Sequence, residues 1–384
     1  MTQPGTTSID FQRLLQGRYE ADRLPADFSP ERIVPDFGFN VLNPLGLLYV
    51  PIVDHHYLRN GGKKPIWPNR KPFAVCLTHD VDEVSLRSLE EARRMRWSQI
   101  KGNPSVLKKT ENVLGLGLDW HRYGGKKDPL HCYELWLKAE AKLNVRSTFF
   151  FWPGIRHITR SHPSDCRYDL GDWVLFDRQK GTVSEMIQEI DRRSWEIGLH
   201  PSWFSFDDVD EMKRQKEALE KVLGHEVVSV RQHYLHYDVR TTPRIHHQAG
   251  FKYDSTLGFN DNVGFRFGTC YPWHLYDLSC EEEMPILEIP LIIQDSAMLS
   301  QGKGLRLDEE TAFMYITQIT ETVEQVGGVL TLLWHPNYIL EADWWNLYLR
   351  TLHYLKEKNA WFGSIQEIGN WWEGIERGEE IRTP

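Results

Sequence analysis

Short apolar segments that stop on ionisable side chains recur along this chain, with amphipathic helical stretches between them. FAVCLTHD (73–80), RSTFFFW (146–152), WEIGLH (195–200), EVVSVRQHY (226–234) and VLTLLWH (329–335) are rich in β-branched or aromatic residues and read as strands. CYELWLKAEAKL reads as a helix, and Thr182 with Glu185 forms a capping-box pattern opening TVSEMIQEIDRR. Ser205 and Asp208 suggest caps for a helix running to Leu223, where Gly224 stops it. Asp308 opens another, with Ala312, Ile316, Ile319, Val323 and Val326 at helical spacing and Gly327–Gly328 as its stop. Repeated strand–helix order predicts a largely parallel sheet or barrel, and in such folds ligands gather at the carboxyl ends of the strands.

Those ends carry Asp80 and Asp82 in THDVD, His200, Arg231 and His335. A strand period of two puts Thr78, Asp80 and Asp82 on one side and His79 on the other, where it packs or bonds away from any site. Two carboxylates on one face repel unless a cation or a shared proton intervenes; otherwise Asp82 simply caps a following helix. Gly198 gives room for backbone or ligand beside His200, which is either a satisfied core histidine or a ligand. Arg231 cannot lose its proton, so a buried copy needs a carboxylate, and Asp80 is the candidate. The adjacent pairs His55–His56 and His246–His247 read as surface residues, and Asp254 as bonding locally to Ser255 or Thr256. Trp203, Phe204, Trp273 and Trp334 serve either the core or a sugar platform.

Composition narrows the class. A chain of 384 residues with 41% hydrophobic and 26% charged side chains is globular, and its net charge of −9 with no basic stripe argues against nucleic acid as a partner. The five cysteines form no C-x-x-C pair, so neither a disulfide framework nor a cysteine zinc site is indicated. MTQPGTTSIDFQRLLQ lacks the basic and apolar regions of a signal peptide, and no apolar run is long enough to span a membrane, which predicts a cytoplasmic location. Residues 1–70, rich in Pro and Gly, read as an N-terminal extension packing on the core. Residues 71–377 read as the core domain, with a helical insertion at about 84–128.

The ordered set THDVD, EIGLH, RQHY and LLWH resembles the polysaccharide deacetylases of carbohydrate esterase family four, over roughly residues 72–370. NVRSTFFFWPG is similar to that family's second strand and FKYDSTLGF to its later aspartate segment. The resemblance implies a distorted (β/α) barrel of mostly parallel strands with a divalent metal at its mouth, most suitably zinc, with cobalt, nickel or manganese as alternatives. It also implies roles: Asp80 as catalytic base, Asp82 and His200 as metal ligands, and Arg231 orienting the base. The backbone N–H of Tyr234 becomes an oxyanion donor and His335 the general acid.

One position departs from that family. A second metal histidine is commonly found four residues after the first, and HPSWFS has Phe204 there, so the third ligand is Ser205, His233 or water. The resemblance implies hydrolytic removal of an N-acyl group, in the first instance N-acetyl, from an amino sugar or glycan precursor. Two other readings stay open: an amidase for a small non-sugar amide, and a carbohydrate-binding protein that keeps the fold without the catalysis.

Overall fold

In the computed structural model, residues 9–24, 37–85, 128, 130–300, 302 and 304–378 are described. The helix expected around SLRSLEEARRMRW falls outside them. The strands are β1 (Ala74–Val81), β2 (Thr148–Phe151), β3 (Trp173–Phe176), β4 (Gln179–Thr182), β5 (Glu196–Leu199), β6 (Ser229–Val230), β7 (Tyr253–Asp254), β8 (Trp273–Asp277), β9 (Glu282–Glu288), β10 (Ile293–Gln294), β11 (Val329–Leu333) and β12 (Trp361–Gly363).

β3 and β4 form a separate antiparallel hairpin, and the others make one sheet in the order β10-β11-β1-β2-β5-β6-β7-β9-β8. Every ladder in that sheet is parallel except β8–β9. On one side, β1 pairs with β12 along Ala74–Cys76 and with β2 along Thr78–Val81. Among the described residues no ladder joins β10 to β8 or β9, so the barrel is open there. This is the distorted, mostly parallel barrel that the strand–helix order and the resemblance implied. All eight residues of β1 are buried, as expected of a parallel strand covered on both faces.

The helices start and stop where local chemistry dictates. Thr182 Oγ1 accepts from the Glu185 N–H at 3.2 Å while the Glu185 carboxylate accepts from the Thr182 N–H at 2.7 Å, completing the capping box of helix Val183–Arg192. Asp208 caps helix Val209–Leu223, and Gly224 ends it in the left-handed conformation at φ 79°. Ser205 takes no part in that cap, because it lies in the preceding turn and its hydroxyl donates to the Ser202 carbonyl at 2.6 Å. Asp308 caps helix Glu309–Val326, whose five spaced apolar residues are buried as their period requires.

Residues before β1 lie against the core. Glu20 pairs with the buried Arg266 through two contacts of 2.7 Å. The Asp54 carboxylate accepts from Thr269 Oγ1 at 2.5 Å and from the Cys270 N–H at 2.8 Å. Trp67 donates from its indole to the Gly327 carbonyl at 2.7 Å and stacks on Trp361.

Candidate metal centre and active site

Parallel pairing brings the carboxyl ends of the strands to one rim, and the polar strand ends meet there. Arg231, just past β6, is fully buried. Its Nη1 lies 2.6 Å from Thr78 Oγ1 and 3.3 Å from Asp80 Oδ1, while Nε and Nη2 donate to the carbonyl and hydroxyl of Ser255, each at 2.7 Å. The guanidinium lies over the Phe150 ring. Gly198 makes room for that ring: a Cβ there would sit 2.5 Å from it, so the space serves a core side chain rather than a ligand. His79 points the other way, to Glu140 and to the Trp334 carbonyl, both at 2.8 Å. Strand alternation therefore separates Asp80 from its neighbour as expected.

Beside Asp80 stand Asp82, His200 and His233. The His200 Nδ1–H donates to the Arg231 carbonyl at 2.7 Å, and the His233 Nε2–H donates to the Ser164 carbonyl at 2.7 Å. Those bonds leave His200 Nε2 and His233 Nδ1 without a proton when the rings are neutral, and these two atoms face each other at 2.9 Å. Asp82 Oδ1 lies 3.4 Å from the first and 3.5 Å from the second; it is buried and has no hydrogen bond among the described residues. With both rings neutral, three electron-pair donors thus converge with no donor hydrogen between them. That is the arrangement a divalent cation fits and a hydrogen-bonded core avoids.

The charges agree. Burial alone would raise Asp82, yet its close contact with His200 and the charges of His233, His335 and His200 hold it well below the usual carboxylate range. Burial opposes protonation of His200, but Asp80 and Asp82 outweigh it and raise its pKa. His233 is pushed down, chiefly by burial, with the His200 charge adding to it against Asp82. The facing nitrogens, His200 Nε2 and His233 Nδ1, therefore do not both carry a proton.

His335 follows β11, with Nε2 3.9 Å from Asp82 Oδ2. Its Nδ1 lies 2.6 Å from Asp295 Oδ1, and its backbone N–H donates to Asp295 Oδ2 at 2.7 Å. Burial would lower its pKa, but Asp295, with Asp82 and Asp80 behind it, raises it to about 9. Sequence reasoning missed Asp295, although it directly follows the apolar stretch ILEIPLIIQ and so ends a strand like the others. Tyr234 sits in the turn His233–Leu235, where Tyr234 at φ 56° and Leu235 at φ 52° both adopt the left-handed conformation without glycine. Such conformations cost of order 1–3 kcal/mol each and persist where packing imposes them.

The remaining candidates separate cleanly. Ser205 is committed to Ser202, and Phe204 is buried against His162 and under Arg160. The place of the expected second histidine is therefore apolar, and His233, from the neighbouring strand end, stands beside His200 instead. Trp203, Phe204, Trp273 and Trp334 are all buried, which assigns them to packing rather than to a platform. His246 corrects an expectation: it is fully buried, with Nδ1 2.7 Å from Asp254 Oδ2, rather than on the surface. Asp254 also bonds locally to Thr256, as expected.

This arrangement has the polysaccharide deacetylase fold. A structure from Mycobacterium smegmatis named as a polysaccharide deacetylase matches with a TM-score of 0.52 and 19% identity, covering 84% of this chain and 97% of that one. A Pseudomonas aeruginosa PAO1 structure named in the same way gives 0.50 and 18%, over 82% and 95%. A structure named Puue allantoinase gives 0.51 and 16%, over 82% and 94%. No protein-family model and no curated protein matches the chain. Among the described residues no helix is long and apolar enough to cross a membrane.

Proposed function

We propose that this protein is a metal-dependent hydrolase that removes an N-acyl group, in the first instance N-acetyl, from an amino sugar or glycan precursor. The observation that carries the reading is the convergence of Asp82 Oδ1, His200 Nε2 and His233 Nδ1, with Asp80 and His335 on the same rim. Asp82, His200 and His233 are the residues that would hold the cation. The donor set suits zinc, and cobalt, nickel and manganese share it in part.

Amides resist water because the carbonyl is weakly electrophilic and the nitrogen leaves poorly. A bound divalent cation polarises the acyl carbonyl and acidifies water. Asp80, held by Arg231 on the side away from the imidazoles, takes the proton of the attacking water as general base. The backbone N–H of Tyr234 donates to the oxyanion of the tetrahedral adduct. His335, kept protonated at neutral pH by Asp295, delivers a proton to the departing nitrogen, since an expelled amide anion is far too basic. A cytoplasmic location would make a nucleotide-linked or lipid-linked sugar the reachable substrate.

The test is metal analysis coupled to acetate release from a panel of N-acetylated saccharides and nucleotide-linked precursors. Release that stops with a chelator and returns with zinc supports the reading. Metal-loaded protein that is inert on the whole panel overturns it. The allantoinase fold match motivates a second reading, hydrolysis of a small ureide, so ureides belong in the same panel; turnover of these alone decides for it.

A further inference from the structure

The site described above leaves one side chain unused. Cys166 is buried in the long connection between β2 and β3. Its Sγ, a carboxylate oxygen of Asp82 and a ring nitrogen of His233 all lie within 4.8 Å of one another. That is close to the span two metal–ligand bonds of about 2.0–2.3 Å can bridge.

Cys166 is held in place from both sides. Ser164, two residues before it, accepts from His233 Nε2 at 2.7 Å. Asp165 accepts from the Trp203 N–H at 2.8 Å and from the His162 N–H at 3.0 Å. Tyr168, two residues after it, donates to the Val81 carbonyl at 2.9 Å and accepts from the Trp152 N–H at 2.8 Å. The segment is thus pinned to the His233 turn, the segment after His200 and the end of β1.

A buried cysteine is usually a small apolar filler. Two others here keep a polar contact: Cys132 Sγ with the Pro336 carbonyl at 3.8 Å, and Cys270 Sγ with Asp54 at 3.2 Å. Among the described residues no hydrogen bond engages Cys166 Sγ, although Asp82, Asp165, Glu83 and Asp80 all stand near enough to act on it electrostatically. Although it also packs in the apolar core, the thiol stands beside an imidazole and the unpartnered Asp82 Oδ1, where a shared cation could reach it.

We propose that Cys166 is a further protein ligand of this cation, giving a mixed oxygen, nitrogen and sulfur centre of Asp82, His200, His233 and Cys166. The inference rests on the metal-dependent reading above. On cation uptake the S–H bond breaks, the sulfur keeps the electron pair and binds the cation, and the proton leaves to solvent; nothing is oxidised or reduced. Thiolate favours a soft cation, which puts zinc and cobalt ahead of manganese. Zinc admits a fifth ligand, so four protein donors do not close the site to substrate.

The experiment is cobalt loading of the full chain, read by absorption and by metal content. The wild type is expected to bind one cobalt and to show both weak visible ligand-field bands and a strong near-ultraviolet sulfur-to-cobalt charge-transfer band. Cys166→Ser should lose the near-ultraviolet band, keep the visible ones, and bind zinc at least about tenfold more weakly. Visible bands without a charge-transfer band in the wild type overturn the inference and leave the metal reading standing, and this arm needs no variant to fold. A charge-transfer band that survives Cys166→Ser assigns the sulfur elsewhere and also overturns it. Wild type that takes up no cobalt overturns the inference and the metal reading together.

Discussion

Asp295→Asn should convert His335 from a proton donor into an ordinary imidazole. The carboxylate is fully buried and holds the histidine twice, at Nδ1 and at the backbone N–H, with 2.6 and 2.7 Å contacts. The displacement of His335 from 6.5 to about 9 favours the imidazolium by roughly 3 kcal/mol, at 1.36 kcal/mol per pKa unit. Burial acts against that displacement, so Asp295, the strongest of the raising influences, accounts for most of it. The amide keeps the shape and removes the charge, and the His335 pKa should fall by roughly two units.

Two readouts follow. The alkaline limb of the pH–kcat profile should move from near 9 in the wild type to near 7 in the variant, with kcat about halved at pH 7 and reduced about 50-fold at pH 9. A histidine proton NMR titration should place the same ring at the same two values without relying on turnover. The sign for stability is also fixed. A folded-state pKa above the unfolded one stabilises fully below pH ~6.5, and that contribution is lost as pH rises through about 9. The stability gap between wild type and Asp295→Asn should therefore be wide at pH 6 and narrow towards pH 10. An alkaline limb and ring titration that stay put would refute the assignment of Asp295 as the group that keeps His335 protonated.

Other outcomes can be checked in parallel. Asp80→Asn should lower turnover by about 100- to 10,000-fold with unchanged circular dichroism and metal content; a rate equal to the wild type removes Asp80 from the mechanism. Arg231→Met strands Asp80 and both Ser255 acceptors in the interior and should cost about 3–5 kcal/mol in urea unfolding, where a loss under about 1 kcal/mol contradicts the buried pairing. Burial raises Asp54 from 3.8 to about 6 against its bonds to Cys270 and Thr269. The folded state therefore binds this proton more tightly, and stability should fall as pH rises from about 4 to 6; Asp54→Asn should flatten that slope in urea titrations at pH 4.5 and 7.5.

The sequence made the rim legible because a parallel sheet collects its strand ends in one place, and Asp80, His200, Arg231 and His335 each end an apolar run. Asp295 obeys the same rule and escaped notice because β10 is only two residues long, too short to show a strand pattern of its own. His233 was one of three alternatives because its position depends on a left-handed turn at Tyr234–Leu235, and no glycine marks that turn. His246 was misread for a related reason. Of two adjacent helical residues only one faces inward, and neighbours alone do not say which; the carboxylate of Asp254 decides it. Cys166 had no local signal at all, since a lone cysteine in a loop acquires meaning only when the fold sets it against Asp82 and His233.

The most direct measurement is elemental analysis of the purified chain after zinc loading and dialysis, beside His200→Ala and His233→Ala. One zinc per chain in the wild type, and well under one in each variant, is the predicted result. A wild type that retains no metal, or variants that retain as much as it does, would contradict the claim that these two imidazoles and Asp82 close around a single cation.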